Sequence, residues 1–201
     1  MLASLCYVVL AARGSRYCWP AAFIGSAIFV VVFWQYQLLM ESALNIYYVG
    51  MAVYGWILWT ALTLSTSEKK QEQASYRSNG IQQWAWQSHA LALGLITLLS
   101  IVSGTLLSQH TDAAFPYLDS FTTWSSLLAT WMVAKKVLEN WLYWIVIDLI
   151  SMGLFFNKGL MFTTALFAVY VIIALYGYFH WRALYTNDAP STLTVEPAHG
   201  Q

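Results

Sequence analysis

Seven apolar segments follow one another along this chain, and they constrain its fold more than any other feature. Six of them are long, covering roughly positions 18–36, 40–62, 88–108, 120–136, 140–156 and 160–182. A shorter one, MLASLCYVVLAA, opens the chain. Because a helix of about 20 apolar residues crosses the hydrocarbon core of a bilayer, the segments predict an all-α membrane protein with seven transmembrane helices.

The composition agrees with a place in the lipid bilayer and excludes several classes of protein. Hydrophobic residues make up 59% of the chain and charged residues 9%, whereas soluble domains carry about 25% charged residues. The net charge is zero, and there is neither a basic excess nor a nucleic-acid-binding motif, so no nucleic-acid partner is expected. Since no histidines or cysteines stand at ligand spacing, we expect no metal and no cofactor.

Positive charges predict how the helices are oriented. With seven alternating spans, eight of the nine lysines and arginines fall on one side, and only Lys158 falls on the other. Cytoplasmic loops of membrane proteins carry the excess of such residues. We therefore expect a multi-pass protein of the bacterial inner membrane, with its N-terminus outside and its C-terminus in the cytoplasm.

The chain also contains an internal repeat. Leu38–Trp59 and Leu160–Trp181 lie 122 positions apart and share eight of 22 residues. The two segments are an even number of spans apart, so they run in the same direction and predict a parallel 3+1+3 arrangement, which is a transporter architecture. The same shift places the partner of the fifth helix before Met1, and we expect the first helix to be truncated by a few residues.

The repeat and the polar segments together divide the chain into five parts. They are a first three-helix repeat at 1–62, a cytoplasmic loop at 63–87, a linker helix at 88–108, a second three-helix repeat at 119–182 and a disordered cytoplasmic tail at 183–201.

The sixth helix carries the clearest candidate site. At 100° per residue, Trp141, Trp144 and Asp148 fall within about 60° on one helix face. A charge at membrane depth costs about 2.5–3.5 kcal/mol, so such a residue normally faces a cavity or a partner. No lysine or arginine stands at a matching depth in the sequence. An ion pair or a hydrogen bond between Asp148 and another helix is the structural alternative.

Repeat partners extend this site to two further helices. Asn45, Tyr48 and Trp56 share a face of the third helix, and Tyr170 is the repeat equivalent of Tyr48 on the seventh. Aromatic rings attract cations, and the acid supplies charge, so the pattern predicts a transporter for a small aromatic cation. Other tryptophans near span ends are interpreted as interfacial belt residues; they are Trp19, Trp59, Trp84, Trp86 and Trp181.

Two other classes of protein compete with a transporter. An intramembrane enzyme would need a second acid beside Asp148 or a serine and histidine pair, and neither is evident in the neighbouring spans. A membrane scaffold or sensor needs no such groups, and it would show no stabilisation by a vitamin. Both fit the sequence less well than a transporter does.

Four short motifs resemble the PnuC family of bacterial vitamin transporters. They are YGWILW (54–59), FPYLDS (115–120), KKVLENWLYWIVID (135–148) and KGL (158–160). The resemblance covers nearly the whole chain and implies a seven-helix fold like a full-length SWEET protein. It also implies facilitated diffusion of a vitamin, which phosphorylation traps inside the cell, and association as a homotrimer.

The family's name-giving substrate is nicotinamide riboside, and sibling branches move thiamine or riboflavin. By the resemblance, Trp141, Trp144 and Asp148 match the family's binding helix. Nicotinamide riboside members carry Gln at the position of Asn45, and Asn at the positions of Ala52 and Asp148. Amides suit a ribose and a carboxamide, whereas an acid suits the aminopyrimidine and thiazolium of thiamine. Nicotinamide riboside and thiamine therefore both remain candidate substrates.

Overall fold

The computed structural model of the protein describes residues 2–35, 39–69, 80–111 and 114–187. Within these ranges the chain forms seven α-helices: α1 (Leu2–Ala12), α2 (Cys18–Gln35), α3 (Leu39–Lys69), α4 (Trp86–His110), α5 (Pro116–Ala134), α6 (Asn140–Asn157) and α7 (Met161–Asn187). In hydrocarbon a helix satisfies its own backbone N–H and C=O groups, so apolar runs adopt this state. The predicted all-α fold with seven helices is confirmed.

Five helices in the described part of the chain are long and apolar enough to cross a membrane. They are α2, the Ser42–Thr63 part of α3, α4, α6 and α7. Helix α1 has only 11 residues, and α5 has 19 residues but carries several serines and threonines. Length and composition therefore identify five spans, and the protein is a multi-pass membrane protein.

Two helices run further than the sequence boundaries indicated. Helix α3 continues to Lys69, past the predicted start of the loop at 63, and α7 continues to Asn187, past the predicted start of the tail at 183. A change to polar residues marks where a helix leaves the bilayer, but ordinary residues differ in helix propensity by only about 0.7 kcal/mol, so the helix can continue beyond that point. The remainder of the predicted loop at 70–79 and of the tail at 188–201 lies outside the described residues.

The helices pack in two similar groups. Helix α2 packs on α3 and α1, and α6 packs on α7 and α5. Helices α1 and α7 are also in contact, as are α3 and α5, and α4 packs chiefly against α5. Six helices thus meet one another around a common centre, while α4 lies to one side.

Four tryptophans are among the largest buried side chains of the core, and each is at most 2% exposed. We call them the tryptophan barrier: Trp19, Trp59, Trp141 and Trp181. The rings of Trp19 and Trp59 are 5.5 Å apart and nearly perpendicular at 88°. The rings of Trp141 and Trp181 repeat this geometry at 5.5 Å and 86°. The interpretation of Trp19, Trp59 and Trp181 as belt residues is wrong, because these rings fill the space between helices instead of facing headgroups.

A short extended segment, 80–85, lies across the end of the bundle near the barrier. The Gln82 N–H donates to the Lys136 carbonyl at 3.0 Å, and the Leu138 N–H donates to the Gln82 carbonyl at 2.9 Å. Ile81 is buried in the core beside the barrier. The α5–α6 turn can pair in this way because Lys136 adopts a left-handed conformation with φ of 54°.

Candidate functional site

A cavity of about 380 Å³ lies at the centre of the six packed helices. Sites for small molecules measure about 300–1,000 Å³, so the cavity has the volume of a vitamin-sized site. Helices α1, α2, α3, α5, α6 and α7 contribute to its wall, and none of its described lining residues comes from α4. The six packed helices therefore enclose the site, and α4 supports them from outside.

Asp148 supplies the single acidic side chain among the described residues that line this cavity. It is 5% exposed and lies on α6, two turns after Trp141. No lysine, arginine or histidine is among those lining residues. A buried carboxylate is costly unless an opposite charge or hydrogen-bond donors compensate it, so the cavity is electrostatically suited to a cation.

Aromatic side chains stand on the same helix as this acid. Trp141 and Trp144 line the cavity on α6, as the 100° spacing of helical residues predicts. Trp141 is buried against Trp181, while Trp144 is half-buried. Flat aromatic faces next to one carboxyl can hold a planar cation by stacking and cation–π attraction.

Helices α3 and α7 add two tyrosines to the cavity, Tyr48 and Tyr170. The hydroxyl of Tyr48 interacts with Ser126 on α5. That of Tyr170 interacts with Ser4 on α1 and, electrostatically, with Asp148. Both hydroxyl groups can donate or accept hydrogen bonds, so the two tyrosines can meet polar groups of a ligand in the cavity.

Asn45 also lines the cavity, whereas Trp56 does not. Trp56 packs against Tyr17 with ring centroids 6.2 Å apart, and the Arg16 guanidinium lies 5.9 Å from its ring. It shares a helix face with Asn45, but eleven residues separate the two, which is about 16 Å along the axis. The displacement along the helix, rather than the direction of the side chain, places Trp56 beyond the cavity.

The structure therefore brings six of the seven predicted site residues to one cavity, and it adds others that the sequence analysis did not assign. Trp19 is the most prominent addition, because it lines the same cavity as the two α6 tryptophans. The repeat shift, which pairs Trp19 with Trp141, was the signal that could have found it. The further polar lining residues are Ser4, Tyr7, Ser26 and Thr130. Small hydroxyl residues in apolar helices have many structural uses, so no pattern singled them out.

Other features of the described residues are less suited to ligand chemistry. A second cavity of about 320 Å³ between α4, α5 and α6 contains His89, Glu139 and Tyr143 and none of the predicted site residues. The His89 Nδ1 and the Tyr143 hydroxyl are 3.1 Å apart and satisfy each other. Within the described ranges, no group of three or more His, Cys, Asp or Glu side chains is placed to hold a metal ion.

The fold and the cavity define a class: a multi-pass helical membrane protein with a central, vitamin-sized site. The model of the family described as "Nicotinamide mononucleotide transporter" matches residues 1–183. The chain therefore belongs to this family, which includes PnuC, and it is a membrane transporter and not an enzyme. The resemblance that the four sequence motifs indicated is confirmed.

Individual relatives are distant but cover most of the chain. The nicotinamide riboside transporter PnuC of Escherichia coli (strain K12) is 23% identical over 179 residues, covering 79% of this chain and 72% of the relative. The PnuC of Neisseria mucosa is 23% identical over 187 residues, covering 88% and 68%. The riboflavin/roseoflavin transporter RibM of Streptomyces davaonensis is 22% identical over 192 residues, covering 95% and 86%.

One solved structure, a crystal structure of the vitamin B3 transporter PnuC, has the same fold. The TM-score is 0.66 at 20% sequence identity, with 93% of this chain and 80% of that chain covered. At this identity the likeness supports the arrangement of the helices alone.

Proposed function

We propose that this transporter takes up a small cationic aromatic vitamin by facilitated diffusion, and that nicotinamide riboside is the first candidate. One observation carries the proposal: a lone carboxyl, Asp148, shares a cavity with several aromatic rings and with no lysine or arginine among the described lining residues. The pyridinium of nicotinamide riboside is a planar cation that suits this environment. Two relatives that match most of the chain are named nicotinamide riboside transporters.

Thiamine is the second candidate, and Asp148 is the specific observation that favours it. An acid can pair with the thiazolium charge and accept hydrogen bonds from the aminopyrimidine. An amide at this position would suit the carboxamide and ribose of nicotinamide riboside better. Tyr170, which lines the same cavity as Asp148, can donate or accept a hydrogen bond on either ligand. Asp148 is therefore the proposed selector between the two vitamins.

Phosphorylation inside the cell is the proposed trap. Adding a phosphate gives the vitamin about −1.5 to −2 charges. Because the cavity holds a carboxyl and its described lining includes no basic side chain, the phosphorylated product would be repelled. Facilitated diffusion would then run inward without a coupled ion.

The finer architecture remains part of the proposal: seven spans in a parallel 3+1+3 arrangement, like a full-length SWEET protein. Pairs of features 122 positions apart support it. Gly55 packs against the Trp19 ring, and Gly177 packs against the Trp141 ring in the same way. The proposed domains are the repeats at about 1–62 and 119–182 and the linker helix at 88–108, with α3 and α7 extending beyond the predicted limits of the repeats, to Lys69 and Asn187.

Helices α1 and α5 complete the proposed seven spans although neither is a clear span by composition. Hydroxyl side chains of α5 donate hydrogen bonds to backbone carbonyls one turn earlier: Thr122 to Leu118, Ser126 to Thr122 and Thr130 to Ser126. Such bonds hide the polar groups within the helix, which suits a helix buried in a membrane protein.

We further propose that the protein resides in the bacterial inner membrane as a homotrimer, with its N-terminus outside and its C-terminus in the cytoplasm. The distribution of lysines and arginines supports the orientation. The trimer follows from the family resemblance alone. Native mass spectrometry of the purified protein tests it, and a monomer or dimer at every detergent concentration would contradict it.

Titration calorimetry of the purified protein with a panel of vitamins tests the proposed function. Nicotinamide riboside and thiamine are expected to bind, whereas nicotinamide mononucleotide and thiamine monophosphate are not. Riboflavin, which the Streptomyces davaonensis relative is named for transporting, carries no cationic ring and serves as the neutral aromatic comparison. Binding of riboflavin alone would contradict the cationic assignment while leaving the protein a vitamin transporter.

A further inference from the structure

Two indole N–H groups tie helices together at one end of the molecule. The Trp59 Nε1 on α3 donates to the Ala134 carbonyl of α5 at 2.9 Å. The Trp181 Nε1 on α7 donates to the Ala11 carbonyl of α1 at 3.2 Å. Both carbonyls belong to the last turn of their helix, where carbonyls lack a partner within the helix, although Ala11 also accepts the Gly14 N–H.

Both bonds cross between the two proposed repeats. Helices α1 and α3 belong to the first repeat, and α5 and α7 belong to the second. One bond runs from the first repeat to the second, and the other runs back. The inference below rests on this proposed division, since the bonds constrain a rocking motion only if the two groups of helices move as units.

The same four rings close one end of the cavity. Trp19 and Trp141 line the cavity at the first turns of α2 and α6, and Trp59 and Trp181 lie behind them in edge-to-face contact. Trp59 and Trp181 also touch each other, with centroids 6.1 Å apart. All four rings are buried, so the tryptophan barrier blocks passage from the cavity to this end.

Basic residues mark this end of the molecule, which we call the basic end. Lys135 and Lys136 follow α5 directly, and Arg13 follows α1. The Lys136 ammonium lies 4.9 Å from the centre of the Trp59 ring. Burial lowers the pKa of the Lys136 side chain. The barrier is therefore covered by the α5–α6 turn on the side away from the cavity.

We infer that Trp59 and Trp181 are gating residues, whose indole N–H bonds hold the basic end of the cavity closed between transport events. A vitamin that crosses the membrane must pass the barrier, and separating the two groups of helices breaks both bonds. In the open state, water can solvate the freed carbonyls, so removing the N–H groups destabilises the closed state more than the open one. The proposal assigns function to two rings that do not line the vitamin cavity.

Thiol labelling tests this inference without any vitamin. Ser26 lines the cavity, and Ser26→Cys provides the thiol that is labelled. The substitutions Cys6→Ser and Cys18→Ala remove the two native thiols. Right-side-out and inside-out vesicles expose opposite ends to a membrane-impermeant, cationic methanethiosulfonate reagent. Trp59→Phe or Trp181→Phe removes one donor and keeps an aromatic ring. Trp86→Phe on α4, where the side chain is 76% exposed, is the matched control.

Either variant is expected to speed labelling from the basic end by about 3- to 10-fold, the effect of losing one net hydrogen bond. Labelling from the opposite end and the control variant should be unchanged. Equal acceleration from both ends would mean general loosening and would overturn the gating role. Unchanged labelling from the basic end would also overturn the gating role. If neither variant reaches the membrane while Trp86→Phe does, the bonds serve folding and the gating role is likewise overturned. The readout involves no substrate, so an error in the vitamin assignment would leave this result intact.

Discussion

At the scale of single residues, Asp148 is the proposed determinant of what the cavity can hold. It is buried at 5% exposure, and the described lining of its cavity carries no basic side chain. The sequence indicated this residue because a carboxyl in a transmembrane helix is costly and therefore normally faces a cavity or a partner. The sequence did not indicate the hydroxyls around it, since Ser4 and Ser26 look like any small residue in a membrane helix.

Asp148→Asn tests the role of this charge. If the carboxylate neutralises a cationic vitamin, affinity for the preferred vitamin should fall by about 10- to 150-fold, the cost of one charge-assisted contact of roughly 1.5–3 kcal/mol. Thermal stability should be unchanged or higher, because a buried carboxyl without a cationic partner is itself costly. Titration calorimetry and detergent melting curves give the two values.

Asp119→Asn is the matched control, since Asp119 lies in the first turn of α5 and not among the cavity residues. A fall in melting temperature with unchanged affinity would show that Asp148 only ties helices together. If the substitution weakens thiamine binding but strengthens nicotinamide riboside binding, the acid is the selector and thiamine is the substrate.

At the scale of helices, the apolar runs predicted where each element lies, because chain length and hydrocarbon thickness together fix the length of a span. They did not predict the extended segment at 80–85, whose pairing with the α5–α6 turn depends on contacts distant in sequence. The shared helix face predicted Trp56 in the site, but Trp56 does not line the cavity, because a shared face says nothing about depth along the axis.

The contacts between α2 and α3 and between α6 and α7 depend on glycine. A Cβ at Gly177 would lie 2.8 Å from the Trp141 ring, and a Cβ at Gly55 would overlap the Trp19 ring. Gly55→Ala and Gly177→Ala should therefore destabilise the protein, by about 1–3 kcal/mol for overpacking. Melting curves in detergent provide the measurement.

Gly50→Ala is the control on the same helix as Gly55, because a Cβ there meets nothing within 4 Å. In an open helical position, alanine is favoured over glycine by about 0.5–1 kcal/mol, so this variant should be as stable as the native protein or more so. Equal melting temperatures for Gly50→Ala and Gly55→Ala would show that the ring contact is not a tight one.

At the scale of the whole molecule, the proposed orientation places the basic end in the cytoplasm. Gln83 is exposed in the extended segment at the basic end, and Asn157 is exposed at the end of α6 near the α6–α7 turn. Each is replaced by cysteine in turn, as Gln83→Cys or Asn157→Cys. In the background without native cysteines, an impermeant maleimide added to intact cells should label Asn157→Cys and leave Gln83→Cys unlabelled. The opposite pattern would invert the topology, and labelling of both would contradict the span count.

The central claim is that this chain carries a cationic aromatic vitamin across a membrane without a coupled ion, and counterflow in proteoliposomes tests it most directly. Vesicles preloaded with unlabelled vitamin receive tritiated nicotinamide riboside or tritiated thiamine outside, with identical ions on both sides. A facilitator exchanges the two pools, so label should accumulate transiently for at least one vitamin. Accumulation should be weaker with Asp148→Asn when the preferred vitamin is tested. Label that enters no faster than in protein-free vesicles for either vitamin, or only when an ion gradient is imposed, would contradict the account.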